Sequence, residues 1–468
     1  MKTIDMTKGE PFKLIISYSV PMLIGQLFQQ LYSLCDTVIV GKLLGKNALA
    51  AVGNTGAMNF LVLGFLYGMT SGFAVITAQK FGAHDKEGLS RSVAMNIILN
   101  LASGIIITVI SCVLTKPILL LTNTPQEIFS YSFDYIFVIF LGILATVLYN
   151  GCACVLRAVG DSKTPLYFLI ISSFLNIALD YVFIKYCGLG VKGAALATVI
   201  SQGVSGFACI IWIGAKFPVL KVSAKDFKWD RRFAMKHLSI GMNMGFQFSI
   251  TAVGVVILQG ALNRFGSTKI AAYTAAQKVE QLVTLAAGVI GVTIANYAGQ
   301  NFGAGKLKRV KEGVSKAIII SVSFAVLAAV LAWAFGEQMV SIFIDKNGSE
   351  MTSEIWKDLI DSSQIYLHLC SVFFPILFVL FIYRNALQGI GLGFWPLMGG
   401  VFELIARTAG AFAVSSAYTA GYLTEVTGFA GICASGPFAW IAATVPLGIA
   451  YYIIMSKLSK NTTFLQEA

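Results

Sequence analysis

Apolar residues in this chain run in long uninterrupted blocks, not in short amphipathic patches. Blocks near residues 12–40, 48–78, 92–114, 131–156, 164–186 and 191–214 are followed by a second set near 238–262, 269–297, 316–336, 365–389, 394–418 and 431–456. Each is about 20 residues or longer, the length a helix needs to cross roughly 30 Å of hydrocarbon. Twelve membrane-crossing helices are therefore predicted, six per half, with short polar loops between them. The first block far exceeds the apolar region of a cleavable signal and lacks a small-residue cleavage site, so it is expected to remain as the first helix.

The pattern is also written twice. At a constant offset of 221, Gly45, Leu49, Ala50, Ala51, Gln79, Phe81, Gly82 and Ala83 face Gly266, Ile270, Ala271, Ala272, Gln300, Phe302, Gly303 and Ala304. Only Leu49 and Ile270 differ. A second echo sets Leu156, Gly160, Pro165 and Leu166 against Leu387, Gly391, Pro396 and Leu397. Six is even, so both copies enter the membrane in the same sense, as in parallel-repeat transporters. The predicted fold class is an all-α membrane protein of twelve transmembrane helices in two six-helix lobes related by a pseudo-two-fold along the membrane normal. Residues 1–214 form the N-lobe, 215–236 a cytoplasmic linker and 237–468 the C-lobe. The copies are not equivalent: the offset pairs Gln26 with Gln247 but sets Asp36 against Ile257.

Composition agrees with the blocks. Hydrophobic residues make up 57% and charged residues 12%, with a mean hydropathy of +0.77, far from the usual globular mix. The net charge of +12 raises the question of nucleic acid, but 22 of the 34 Lys and Arg fall on one set of alternate loops and 9 on the other. That asymmetry is the positive-inside rule at work. It predicts a multi-pass plasma-membrane protein with both termini cytoplasmic, and no nucleic-acid partner. All eight cysteines lie within or at the ends of apolar blocks and read as reduced packing residues. Gly188, Gly190 and Gly193 match a dinucleotide pattern but join two membrane helices, without the strand that the fingerprint needs. His84, His237 and His368 are scattered. No metal cluster, catalytic triad or phosphate loop emerges, so neither an enzyme nor a bound cofactor is expected. Asn347-Gly348-Ser349 forms a glycosylation sequon on a predicted outer loop.

The chemistry sits on a few polar residues inside the blocks. The first helix carries Gln26, Gln29, Gln30, Ser33, Asp36 and Thr37 at spacings that make one stripe, which must face protein or a water-filled cavity. Pro21 removes a backbone hydrogen bond from the same helix and permits a bend, which suggests a gate. Asn176 and Asp180, four apart on the fifth helix, share a face. Residue counting places Asp36, Asp180 and Thr198 together in the outer half of the membrane. An ionised carboxylate there costs at least about 2.5–3.5 kcal/mol, and two side by side either share protons or hold a small hard cation. No Lys or Arg lies inside the apolar blocks near Asp36, and Lys185 is expected to snorkel outward. Asp134 reads as interfacial. In the second half Glu403 and Arg407, four apart, are expected to neutralise each other, with Lys278, Glu280 and Arg384 offering further pairing.

These residues resemble the multidrug and toxic compound extrusion (MATE) family of cation-coupled antiporters over essentially the whole chain. The matching stretches are Pro21 to Gly45, residues 78–83, Leu156 to Pro165, Gly190 to Thr198 and Gly299 to Gly305. The resemblance implies two lobes around a V-shaped cavity, exporting cationic or amphiphilic small molecules in exchange for H⁺ or Na⁺, the only cofactor-like species expected. Carried over by position, the coupling and substrate site is Asp36, Asn176, Asp180 and Thr198, with Gln29, Tyr32 and Asn150 nearby and Pro21 as gating residue. With Na⁺ as the coupling ion, the first four would be its ligands. Some relatives place coupling carboxylates on the seventh and tenth helices, where the blocks of this chain carry no acid. The chain is expected to act as a monomer surrounded by membrane lipid. Two alternatives share the lobe architecture: a lipid-linked precursor flippase, which would need several cavity arginines that the N-lobe helices do not supply, and an exporter of one specific metabolite.

Overall fold

The computed structural model describes residues 3–344 and 352–467, and the sequon at 347–349 lies outside them. In hydrocarbon a backbone amide left without a partner costs several kcal/mol, so a chain this apolar satisfies its backbone within helices. The helices are α1 (Pro11–Leu44), α2 (Lys46–Asn54), α3 (Gly56–Gly82), α4 (Lys86–Leu121), α5 (Gln126–Leu141), α6 (Ile143–Ala158) and α7 (Lys163–Tyr181), then α8 (Gly190–Lys216), α9 (Arg231–Leu262), α10 (Gly266–Gly303), α11 (Leu307–Ser341), α12 (Ser353–Gly389), α13 (Phe394–Thr419) and α14 (Glu425–Glu467).

Ten helical stretches are long and apolar enough to cross a bilayer, and the bent pair α5 and α6 makes an eleventh. One of the ten, Arg231–Gly303, has 73 residues, about 110 Å of helix against roughly 30 Å of hydrocarbon. It turns at Gly266, where φ is +81°, and holds the two crossings α9 and α10. The described residues therefore contain the twelve crossings that the hydrophobic blocks predict.

Three spans are less regular than the blocks suggest. The second begins with a separate helix, α2, that ends at Thr55. The fourth bends by 48° between α5 and α6. Its break falls at Gly142, where a Cβ would overlap the Val199 side chain on α8. The fifth ends in a π-helical turn over Val182–Tyr186, a winding that recurs at functional sites.

By packing, the chain divides into two compact units: Met1–Ser249 with Gly299–Lys306 and Gly389–Gly393, and Ile250–Ala298 with Leu307–Gln388 and Phe394–Ala468. In the first unit α3 and α9 approach backbone to backbone at two small-residue pairs, Gly68 with Gly72 and Gly241 with Gly245. A Cβ on Gly68 would stand 2.6 Å from the Met244 carbonyl oxygen, the close approach that small residues permit between membrane helices. The outer faces are apolar: on α4, Ile106, Val109 and Val113 are 57%, 58% and 69% exposed. Lipid covers such faces at no hydrophobic cost.

Candidate functional site

The carboxylate pair forms where α1, α7 and α8 pack together within the first unit. Asp180 is fully buried, Asn176 is 1% exposed and Asp36 8%. Side by side, the Asp36 and Asp180 carboxyls lie within hydrogen-bonding reach of each other. Ionised carboxylates only accept, so both oxygens of Asp180 and Oδ1 of Asp36 are buried without a donor, as is Oδ1 of Asn176. The Asn176 amide donates to Thr198 Oγ1 at 3.4 Å, and Thr198 in turn donates to the Ala194 carbonyl at 3.2 Å. Tyr32 on α1 and Tyr135 on α5 lie in the electrostatic field of both carboxylates. Behind them is an apolar wall that includes Val40, Ile136, Ile139, Phe140 and Ile184. Among the described residues no Lys, Arg or His forms an ion pair with either acid.

Four of the residues singled out from sequence, Asp36, Asn176, Asp180 and Thr198, thus come together, with Tyr32 beside them. Gln29 is exposed, and the Asn150 amide donates to the Thr146 carbonyl on its own helix at 2.9 Å; neither hydrogen-bonds to the four. Of the polar stripe on α1, only Asp36 is buried against protein, while Gln29, Ser33 and Thr37 are exposed. Pro21 is buried within a continuous α1, about 22 Å along the helix from Asp36. Tyr135 was not singled out from sequence, since nothing in an aromatic-rich run distinguishes it from its neighbours.

The arrangement is chemically incomplete. Oxygens of two carboxylates and of an amide are buried there without a donor, and such groups are costly unless paired. A proton shared between the acids, or a small cation ligated by Asp36, Asp180, the Asn176 amide oxygen and the Thr198 hydroxyl, completes it. Among the described residues no group of three or more His, Cys, Asp and Glu is placed to hold a metal ion, so any such cation would rest on this mixed oxygen set.

Arg157 departs from the expectation that the N-lobe helices supply no arginine. Counted as a loop residue from sequence, it lies in the last turn of α6 and is 9% exposed. Its Nε donates to the Ala153 carbonyl at 3.1 Å, and Tyr18 Oη donates to the Arg157 carbonyl at 2.7 Å. Asp134, read as interfacial, pairs with Lys192 at 3.3 Å.

The duplicated segments meet each other. Gly82 on α3 abuts the Gln300 backbone on α10, and Gly303 abuts that of Gln79, so that a Cβ on either glycine would overlap the opposite carbonyl oxygen. Gln79 Nε2 donates to the Gly389 carbonyl and Gln300 Nε2 to the Ala158 carbonyl, both at 2.9 Å. The amino-terminal arm is clasped in the same place. Met6 N–H donates to Gln300 Oε1 at 2.9 Å, Asn301 Nδ2 donates to the Met6 carbonyl at 3.1 Å, and Lys306 Nζ donates to the Thr7 carbonyl at 3.0 Å. All these residues belong to the first unit. Gly82→Ala is expected to force this junction apart at a cost of about 1–3 kcal/mol. The check is reaction of a cysteine placed at Ala158, in a chain otherwise free of cysteine, with a polar thiol reagent. Labelling should rise about 5- to 150-fold in step with that cost, and unchanged labelling contradicts the junction.

In the second unit Glu403 is compensated, as its spacing from Arg407 predicts, whereas the further pairing expected at Lys278 and Glu280 is not formed among the described residues. Arg407 Nη2 donates to Glu403 Oε1 at 2.7 Å and Arg384 Nη2 to Oε2 at 3.0 Å, all three side chains being under 10% exposed. Glu280 accepts from the Tyr366 hydroxyl, and Lys278 is exposed. The tenth crossing starts earlier than its apolar block, at Ser353. It thereby gains Asp358, which is paired with Lys269.

The MatE family model matches residues 21–182 and 240–412. The chain is similar to a protein of Bacillus subtilis (strain 168) described as probable multidrug resistance protein YpnP, at 28% identity over 392 residues, 84% of this chain and 85% of that one. It is also similar to the multidrug export protein MepA of Staphylococcus aureus (strain MSSA476), at 25% identity over 354 residues, 75% of this chain and 78% of that one. A crystal structure of MATE in the bent conformation superposes with a TM-score of 0.88 over 99% of each chain at 24% identity, and so shares the fold.

Proposed function

Because the chain belongs to the MatE family, we propose that it is a secondary active antiporter that exports organic cations or drugs across the cell membrane in exchange for H⁺ or Na⁺. The relatives described as multidrug resistance or export proteins support export of drugs. The observation that carries ion coupling is the buried, unpartnered pair Asp36 and Asp180.

In this reading a proton or Na⁺ enters the pair from outside and neutralises it, which weakens the hold of the first lobe on a bound cation. Tyr18 anchors the start of α1 to α6, so bending near Pro21 swings the Asp36 segment while the anchor stays. Ion and drug favour different states of one element, and their coupling is necessarily reciprocal. The junction of Gly82, Gln300, Gly303 and Gln79, with the arm clasped to it, is the seal that must part when the transporter opens to the cytoplasm. Lobes over 1–214 and 237–468, both termini in the cytoplasm and a monomeric chain complete the proposal. A single buried arginine in the first lobe, set against two carboxylates, favours a cationic substrate over a pyrophosphate-headed lipid.

Counterflow of a fluorescent organic cation in proteoliposomes, with Na⁺ and pH gradients imposed separately, tests it. Accelerated uptake of the cation against one of the two gradients is expected. Uptake indifferent to both gradients overturns ion coupling, and its complete absence across several cations overturns the substrate class.

A further inference from the structure

The segment between α8 and α9 carries none of the residues of the carboxylate site, and its side chains are sorted with care. All seven Lys and Arg from Lys216 to Lys236 are exposed. The two acids among them are engaged, Asp226 buried and Asp230 partly exposed. Asp226 accepts from the Ser223 N–H and hydroxyl, both at 2.8 Å. Asp230 accepts from the Phe233 N–H at 3.1 Å and from Arg91 Nη2 at 3.3 Å. Backbone N–H bonds, from Ser223 and from Phe233, are the leading cause that holds each carboxylate below its usual range, so both stay ionised and occupied.

The segment is a fixed platform. Phe217 and Leu220 are each 2% exposed and pack with Leu89, Val93 and Leu156, while the Ser90 hydroxyl donates to the Lys221 carbonyl at 3.2 Å. Two aromatic side chains nevertheless stay out: Phe227 is 39% exposed and Trp229 57%, and neither makes a ring contact among the described residues. Beside Trp229 is an open depression of about 540 Å³, lined by Glu87, Arg91, Lys225, Lys228 and the two engaged aspartates. The platform joins the end of α8 to the start of α9, both in stretches long and apolar enough to cross a membrane, so it flanks the polar face of the bilayer they would span. There a ring that is apolar at its face and polar at its edge is favoured, and lysines attract anionic lipid.

We propose that this platform binds the anionic phospholipid headgroups of the leaflet it faces, Lys225, Lys228, Arg231 and Arg232 meeting phosphates while Trp229 and Phe227 insert between headgroups. The binding is electrostatic with an aromatic anchor. It therefore depends on salt and on lipid charge.

The test uses the full chain in phosphatidylcholine bilayers that contain a little dansyl-phosphatidylglycerol or dansyl-phosphatidylcholine, reading energy transfer from tryptophan. The difference between wild type and Trp229→Phe isolates the share of Trp229. That share is expected to be about fivefold or more larger with the anionic probe at low salt, and to fall to the zwitterionic level in high salt. The combined Lys225→Gln, Lys228→Gln, Arg231→Gln, Arg232→Gln variant should lose the preference too, with unchanged thermal unfolding. Equal transfer from both probes, or a preference that survives both salt and the fourfold variant, overturns the proposal. Transport is not measured, so failure here leaves the antiport reading untouched, and failure of antiport leaves this one standing.

Discussion

Replacing Asp180 by asparagine is expected to leave the protein folded and to remove the response of export to an ion gradient. Both Asp180 oxygens are buried without a donor, so the native carboxylate contributes nothing that the isosteric amide removes. The amide can donate to Asp36 and relieve a repulsion. What disappears is the change of charge, since an amide neither takes up a proton nor ligates Na⁺ with a full negative charge. Coupling free energies of about 1–3 kcal/mol correspond to 5- to 150-fold effects, and the gradient-driven rate should fall by that order. Export of a fluorescent cation from everted vesicles, with and without each gradient, measures it alongside thermal unfolding in detergent. Asp36→Asn should behave alike, and the double variant should be no worse than either, because the two act as one unit. Wild-type acceleration in Asp180→Asn would remove the pair from the mechanism. A large drop in unfolding temperature would show instead that it is structural.

Glu403→Ala is expected to have the opposite signature, costing about 3–5 kcal/mol of stability as a broken buried ion pair does. Glu403 lies between Arg384 and Arg407 at 3.0 and 2.7 Å. Nε of each arginine is already buried without an acceptor, and neither guanidinium forms an ion pair with another acid among the described residues. Two cations would then face each other under less than a tenth of their normal exposure. Thermal unfolding of the purified protein checks the loss. A double cycle with Arg407→Ala should recover part of it, because the cost comes from the stranded charge. A Glu403→Ala protein as stable as wild type but unable to export would mean that this triad, and not the first-half pair, carries the exchange.

The contrast between these two carboxylate sites was legible in the residues. Glu403 and Arg407 stand four apart on one helix, so geometry along the sequence supplies the counter-charge. Asp36 has no base at helical spacing, and its counterpart in the second copy is Ile257. What the residues did not reveal was local. Arg157 looked like the first loop residue after an apolar block, because hydropathy cannot tell a buried arginine from an interfacial one. The bend at Gly142 depends on Val199 from a helix more than fifty residues later in the sequence. Tyr135 faces the carboxylates only because α5 packs against α8 and α2.

The sequence by itself determined how many times the chain crosses the bilayer, that it was duplicated, and which acids lack a partner along their own helix. Bilayer thickness is a constraint on length, and length, periodicity and spacing are properties of a line of residues. Tertiary packing alone decided that Asp36 and Asp180 meet, that the two copies of the Gln–Phe–Gly motif close on each other, and that Gln29 and Asn150 stay outside the bonded set. Those outcomes depend on how helices rotate about their axes and where small residues let backbones touch, and neither is set by any single helix.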